Sequence, residues 1–128
     1  MKYQKVLLES IATNLILMPT FGRRVIGPVA NWDPGVISVT PAPIIEGNRV
    51  QISAKIRVLK PVRGLRYEAG VGTQVLARQS WHNLLNPSNP FPVTFTWTAV
   101  RGRHNIFFRL IPPQVSRSHP IQKLDQTI

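Results

Sequence analysis

Cysteine is absent from this chain of 128 residues, so disulfides, thiolate metal sites and a cysteine nucleophile are excluded from its chemistry. Acidic residues are scarce as well. Five Asp and Glu stand against 16 Lys and Arg, which leaves a formal charge of +11. The carboxylates Glu9, Asp33, Glu46, Glu68 and Asp125 are scattered over different segments, and none forms the close pair that general acid and base work requires. His82, His104 and His119 lack the four-residue spacing of a helical zinc pair. No serine sits in a G-x-S-x-G elbow, and Gly70-Val71-Gly72 lacks the third glycine and following helix of a dinucleotide site. That glycine pair reads instead as a bulge or a change of strand. The expectation is therefore no enzyme, no cofactor, no metal and no small-molecule substrate.

Long apolar runs are missing too. Residues 3–18 are interrupted by Glu9, Ser10, Thr13 and Asn14, which makes the segment too short and too polar for a membrane span. It also lacks the small-x-small cleavage site of a secretory signal, and it is read as part of the mature protein.

What the chain does have is punctuation. Twelve prolines and eight glycines divide a sequence that is 43% apolar, a pattern of many short elements joined by turns. The length suits one domain, and a fold of this size removes roughly two thirds of the unfolded chain's accessible surface, enough without covalent cross-links.

Tyr3, Leu7, Leu8, Ile11, Leu15 and Met18 recur at three- and four-residue steps, with Lys5 and Glu9 one turn apart. This spacing predicts an amphipathic helix over 3–18 ending at Pro19, with a buried strand around Leu15–Met18 as the rival. Pro19, Gly22, Gly27, Pro28, Pro34 and Gly35 then read as a linker over 19–35. Strand signals follow at 36–40, 49–59, 65–71, 73–78, 93–98 and 105–111. In the strongest, Val50, Ile52, Ala54, Ile56 and Val58 alternate with Arg49, Gln51, Ser53, Lys55 and Arg57, giving one buried face and one wet, basic face. Val93, Phe95 and Trp97 alternate with threonines in the same way. After the turn Arg101-Gly102-Arg103, Ile106, Phe108 and Leu110 make the next inner row, and the two segments are predicted to form a hairpin.

The stretches ISVTPAPIIEGNRVQISAKI and PVTFTWTAVRGRHNIFFRL resemble the opening and closing strands of the adhesion-related immunoglobulin-like domains called CARDB, and more loosely phage immunoglobulin-like structural modules. The resemblance runs from Val36 to Pro113 and brings no site residues with it. It implies an all-β, immunoglobulin-like antiparallel β-sandwich. Around it the sequence predicts an N-terminal arm over 1–35, the sandwich over 36–113 and an extended C-terminal tail over 114–128.

The excess positive charge calls for an anionic neighbour, and nucleic acid, anionic lipid and an acidic protein surface are the alternatives. Arg49, Lys55, Arg57, Lys60, Arg63 and Arg66 are the candidate patch, which would neutralise phosphates in a salt-dependent way. Candidate protein contacts are Leu7, Leu8, Ile11 and Leu15 on the helix, and Trp81, Leu84, Leu85 and Phe91 in a predicted loop over 80–92. Trp32 and Trp81 read either as caps on the sandwich ends or as sugar platforms or protein-contact anchors. Together these features predict a non-catalytic structural protein that partners other protein subunits in an oligomeric assembly. A virion decoration or accessory protein, found in the virion or in the cytoplasm during assembly, is the leading form. A nucleic-acid-binding accessory protein and an extracellular surface adhesion or carbohydrate-binding module are the alternatives.

Overall fold

The computed structural model describes residues 27–128. Its organising element is β3 (Arg49–Val58), whose inward residues Val50, Ile52, Ala54, Ile56 and Val58 are buried, while Arg49, Gln51 and Lys55 are exposed. Period-two burial of this kind is what a sheet with one wet face demands. β6 (Phe91–Thr98) pairs antiparallel along one side of β3, from Arg49 opposite Thr98 to Ile56 opposite Phe91. β1 (Ala30–Trp32) and β2 (Ser38–Thr40) share the other side, opposite Ile56–Val58 and Gln51–Ser53 respectively. They are one edge strand interrupted at Asp33–Ile37. Pro34 has no N–H to give to a ladder, so the strand breaks there. An ion pair between Arg57 and Asp33 ties the break back to β3.

The second sheet runs β5-β4-β7-β8, all antiparallel, from β4 (Val62–Val71), β5 (Gln74–Leu85), β7 (Asn105–Ile111) and β8 (Gln122–Thr127). β4 and β5 form a hairpin closed by Gly72 and Thr73, with Gly72 at φ +65°, a region open to glycine without a Cβ penalty. The register shifts between Ala69 and Gly70. A Cβ on Gly70 would lie 1.9 Å from the Gln74 carbonyl oxygen, so the bulge can form only with glycine there.

Phe108, Ile52, Ile56, Leu65, Ile106 and Leu110 are among the largest fully buried side chains between the sheets, each contributing about 1.5–3 kcal/mol by leaving water. Phe108 is the hub, with Phe95 at 5.7 Å and Trp32 edge-on at 5.5 Å between ring centroids. The described residues are thus all-β, in two antiparallel sheets, and no described helix is long and apolar enough to cross a membrane. The predicted helix over 3–18 lies outside the described residues.

Four expectations need correction. Val93–Thr98 and Asn105–Ile111 are not a hairpin: β6 pairs with β3 and β7 with β4, so the segment between them crosses from one sheet to the other. The tail over 114–128 contains β8, which pairs with β7 from Leu110 opposite Gln122 to Asn105 opposite Thr127. The linker over 19–35 contains β1. The loop over 80–92 is mostly strand, because β5 continues to Leu85 and β6 begins at Phe91.

Candidate functional site

The six basic residues singled out from the sequence are not gathered into one patch. Arg49, Lys55 and Arg57 project outward from β3, with Arg57 engaged by Asp33. Arg63 and Arg66 project outward from β4, in the other sheet. The outward faces of two packed sheets point in opposite directions with a core about 10 Å thick between them, and Lys60 sits in the turn that joins β3 to β4.

On the outward face of the second sheet Arg63 and Arg66 are joined by Arg78, Arg109 and Lys123. Glu68 lies between Arg78 at 3.5 Å and Arg109 at 4.0 Å, and Lys123 lies 3.9 Å from Asp125. With Asp33 held by Arg57 and Glu46 by Arg101, each side-chain carboxylate among the described residues faces a cation rather than another acid. No group of three or more His, Asp or Glu is placed to hold a metal among the described residues. The outward face of the first sheet is a hydroxyl surface, with Thr94, Thr96 and Thr98 on β6 beside Gln51 and Ser53 on β3 and Ser38 and Thr40 on β2.

Of the proposed contact residues, Leu7, Leu8, Ile11 and Leu15 lie outside the described residues. Trp81, Leu85 and Phe91 turn inward and pack on the core. Trp81 stacks on Tyr67 at 5.9 Å and meets Phe91 edge-on at 5.8 Å, closing the gap between the β5 and β6 edges. Burial raises the pKa of the Tyr67 hydroxyl above its ordinary value, because the phenolate is the form that loses most from leaving water. Leu84 alone of this group points out, 45% exposed. Trp32 is also a packing residue, its indole N–H donating to the Gln122 carbonyl at 3.0 Å.

A concave, partly apolar surface lies at one end of the sandwich. Two loops meet there, β2–β3 and β6–β7, pinned by Gly47 N–H to the Ala99 carbonyl at 2.8 Å and Ala99 N–H to the Asn48 carbonyl at 2.9 Å. Between them opens a cleft of about 340 Å³ lined by Ile44, Trp97, Ala99, Val100, His104 and Ile128. The Glu46–Arg101 pair, 3.4 Å apart, stands on its rim. His104 Nε2 lies 3.0 Å from the Val100 carbonyl and 3.2 Å from that of Arg101. Two acceptors at one nitrogen place the proton there, and the ring, edge-on to Trp97 at 5.1 Å, holds the β6–β7 loop in shape. Ile45 and Val100 are 54% and 57% exposed. Exposed aliphatics beside a half-buried tryptophan and an arginine are the ingredients of a protein-contact anchor site. The sequence reading missed it, although two consecutive isoleucines in the turn PAPIIEG were the available signal.

A three-on-four antiparallel sandwich with one split edge strand, and a partly apolar cleft at its end, is an immunoglobulin-like fold. The fold is CARDB-like. A solution NMR structure of a CARDB domain from Pyrococcus furiosus matches with a TM-score of 0.51 and 11% identity, over 77% of this chain and 94% of that one. No protein-family model and no curated protein sequence matches the chain.

Proposed function

We propose that this chain is a structural subunit of a larger assembly, in its most concrete form a virion decoration or accessory protein, which docks on a protein neighbour through the cleft at Ile44, Ile45 and Val100. The observation that carries the reading is the grouping of Ile44 and Val100 in one cleft with Trp97, on two mutually pinned loops of which the first also carries the exposed Ile45. A desolvated aromatic and aliphatic centre with a charged rim is where binding energy concentrates in protein interfaces. On this reading the protein resides in the virion, or in the cytoplasm while assembly proceeds.

Native mass measurement and electron imaging of the protein from its source test the proposal. The wild-type chain is expected on a particle or lattice, and Ile45→Asp with Val100→Asp is expected to leave a folded chain that no longer joins it. A wild-type chain that remains a free monomer contradicts the reading.

A surface adhesion module is the second reading, favoured by the CARDB-like fold. Surface labelling of intact cells separates the two, since an assembly component made inside the cell is not labelled. The nucleic-acid reading has lost its single patch, and a titration at two salt concentrations tests what remains of it.

A further inference from the structure

Among the described residues the two sheets end in four edges, and three of them are guarded against further pairing. β1 and β2 form an edge broken at Asp33–Ile37. β5 carries Arg78 and two shifts of register against β4, and β8 carries Lys123 and Asp125. Breaks, bulges and charges are the devices that stop an edge from recruiting another strand. β6 has none of them over residues 93–98. The run VTFTWT is free of charge, made of β-branched and aromatic residues, and in unbroken register with β3, which is the composition of a strand that pairs readily. Its backbone is aimed accordingly. The Ala99 N–H donates to the Asn48 carbonyl at 2.9 Å, and the Ala99 carbonyl accepts from the Gly47 N–H at 2.8 Å, so Ala99 turns both groups toward the β3 side. Successive residues of an antiparallel strand turn them to alternate sides. Thr94, Thr96 and Thr98 therefore present their N–H and C=O groups to the open side, where no described strand pairs. Pro92, next in that series, has no N–H to offer.

We propose that a second copy of this chain pairs along this edge, β6 antiparallel to β6, about a two-fold axis at Thr96. In that register Thr96 faces its own counterpart and Thr94 faces Thr98 of the second copy, and each pair exchanges both of its hydrogen bonds. No N–H or C=O of the three threonines is left over. A seam centred on Phe95 sets Thr98 against Pro92 and leaves the Thr98 carbonyl without a donor, and one centred on Trp97 carries Thr94 past the end of the strand. The axis also keeps like against like, with threonine opposite threonine on the outer side and Phe95 opposite Trp97 on the inner. Charge selects the occupant. A chain of net charge +11 can meet itself only where it is neutral, and an acidic partner would find no counter-charge on this strand. The cations nearest the seam, Arg49 and Lys55, stand on β3, so those of the two copies are at least three strand spacings apart, about 14 Å. That exceeds the Debye length of about 8 Å at physiological salt. The inference does not depend on the assembly role proposed above, which rests on the cleft and not on this edge.

The test uses the full chain free in solution, with no particle present, so that its failure says nothing about the cleft. Sedimentation equilibrium should show twice the chain mass, and the chain mass alone up to millimolar concentration would overturn the proposal. Because the protein has no cysteine, oxidation of single-cysteine variants reads the register. Thr96→Cys sets two thiols on the axis, with Cα atoms about 5.5 Å apart as in any hydrogen-bonded pair, a separation that a disulfide spans. Thr94→Cys sets them four residues apart along the seam, about 14 Å, which is out of reach. The first variant should cross-link roughly tenfold or more faster than the second, and Thr94→Cys mixed with Thr98→Cys should cross-link as a hetero-pair. Equal rates for Thr96→Cys and Thr94→Cys would overturn the two-fold seam. Thr96→Lys opposes two like charges on the axis and should return the chain to a monomer with its circular dichroism unchanged, and a dimer that survives it counts against the proposal. Raising salt should leave the dimer intact, whereas dissociation by salt would contradict a neutral seam.

Discussion

Trp32 and Gln122, ninety residues apart, stitch the two sheets together along one edge: the indole N–H donates to the Gln122 carbonyl at 3.0 Å. The Gln122 side-chain amide returns the bond, donating to the Ala30 carbonyl at 2.6 Å. β1 belongs to the first sheet and β8 to the second, so this exchange stands where no ladder can form. Trp32→Phe keeps most of the packing on Phe108 but leaves the Gln122 carbonyl without its donor, at an expected cost of about 1–3 kcal/mol. Gln122→Ala should cost about 1 kcal/mol. Denaturant midpoints with an unchanged slope are the check, and losses below a few tenths of a kcal/mol for both would remove the stitch from the account.

The β4–β5 hairpin makes a sharper prediction about glycine. Gly70→Ala pushes a Cβ onto the Gln74 backbone, and backbone cannot swing aside as a side-chain tip can, so a loss of at least about 2–3 kcal/mol is expected. Gly72→Ala, with open space around it but φ at +65°, should lose only about 1 kcal/mol. Thermal unfolding of the two variants should preserve that order, and the reverse order would contradict the bulge.

Alkaline stability should report on Tyr67. Its hydroxyl pKa is raised by burial against Trp81, so the folded state holds the neutral phenol more strongly than the unfolded state does. That contribution is complete below the unfolded pKa near 10 and is lost as pH rises through the higher folded value. Tyr67→Phe removes the contribution, and its unfolding free energy should fall less steeply above about pH 10 than that of the wild type. Parallel curves for the two proteins would count against a buried phenol.

Much of this architecture could be read in advance, and the failures share a cause. Alternation around Ile52 and Phe95 fixes which side of each strand faces the core, because a period of two needs no knowledge of neighbours. It does not say which sheet a strand joins. β6 and β7 both present an inward apolar row, so a hairpin and a sheet-to-sheet crossing look alike in sequence. The split of Arg49, Lys55 and Arg57 from Arg63 and Arg66 was hidden for the same reason. β8 escaped because QKLDQT offers Leu124 as its single apolar residue, and its stability comes from hydrogen bonds to β7 rather than from its own pattern. β1 escaped because the prolines and glycines flanking it mask three residues of strand.

The hydroxyl surface of the first sheet should be indifferent to trimming, since Thr94 and Thr96 are exposed on an edge strand. Thr96→Ala is expected within about 0.5 kcal/mol of wild type, whereas Phe108→Ala, at the hub of the core, should lose about 3–5 kcal/mol. A larger loss at Thr96 than at Phe108 would mean that inward and outward had been exchanged.

Electron density of the protein in place on its assembly tests the central claim most directly. The account predicts a neighbouring chain seated over Ile44, Ile45 and Val100, filling the cleft beside Trp97. A sandwich whose loop end projects freely into solvent while the contact forms elsewhere would contradict it.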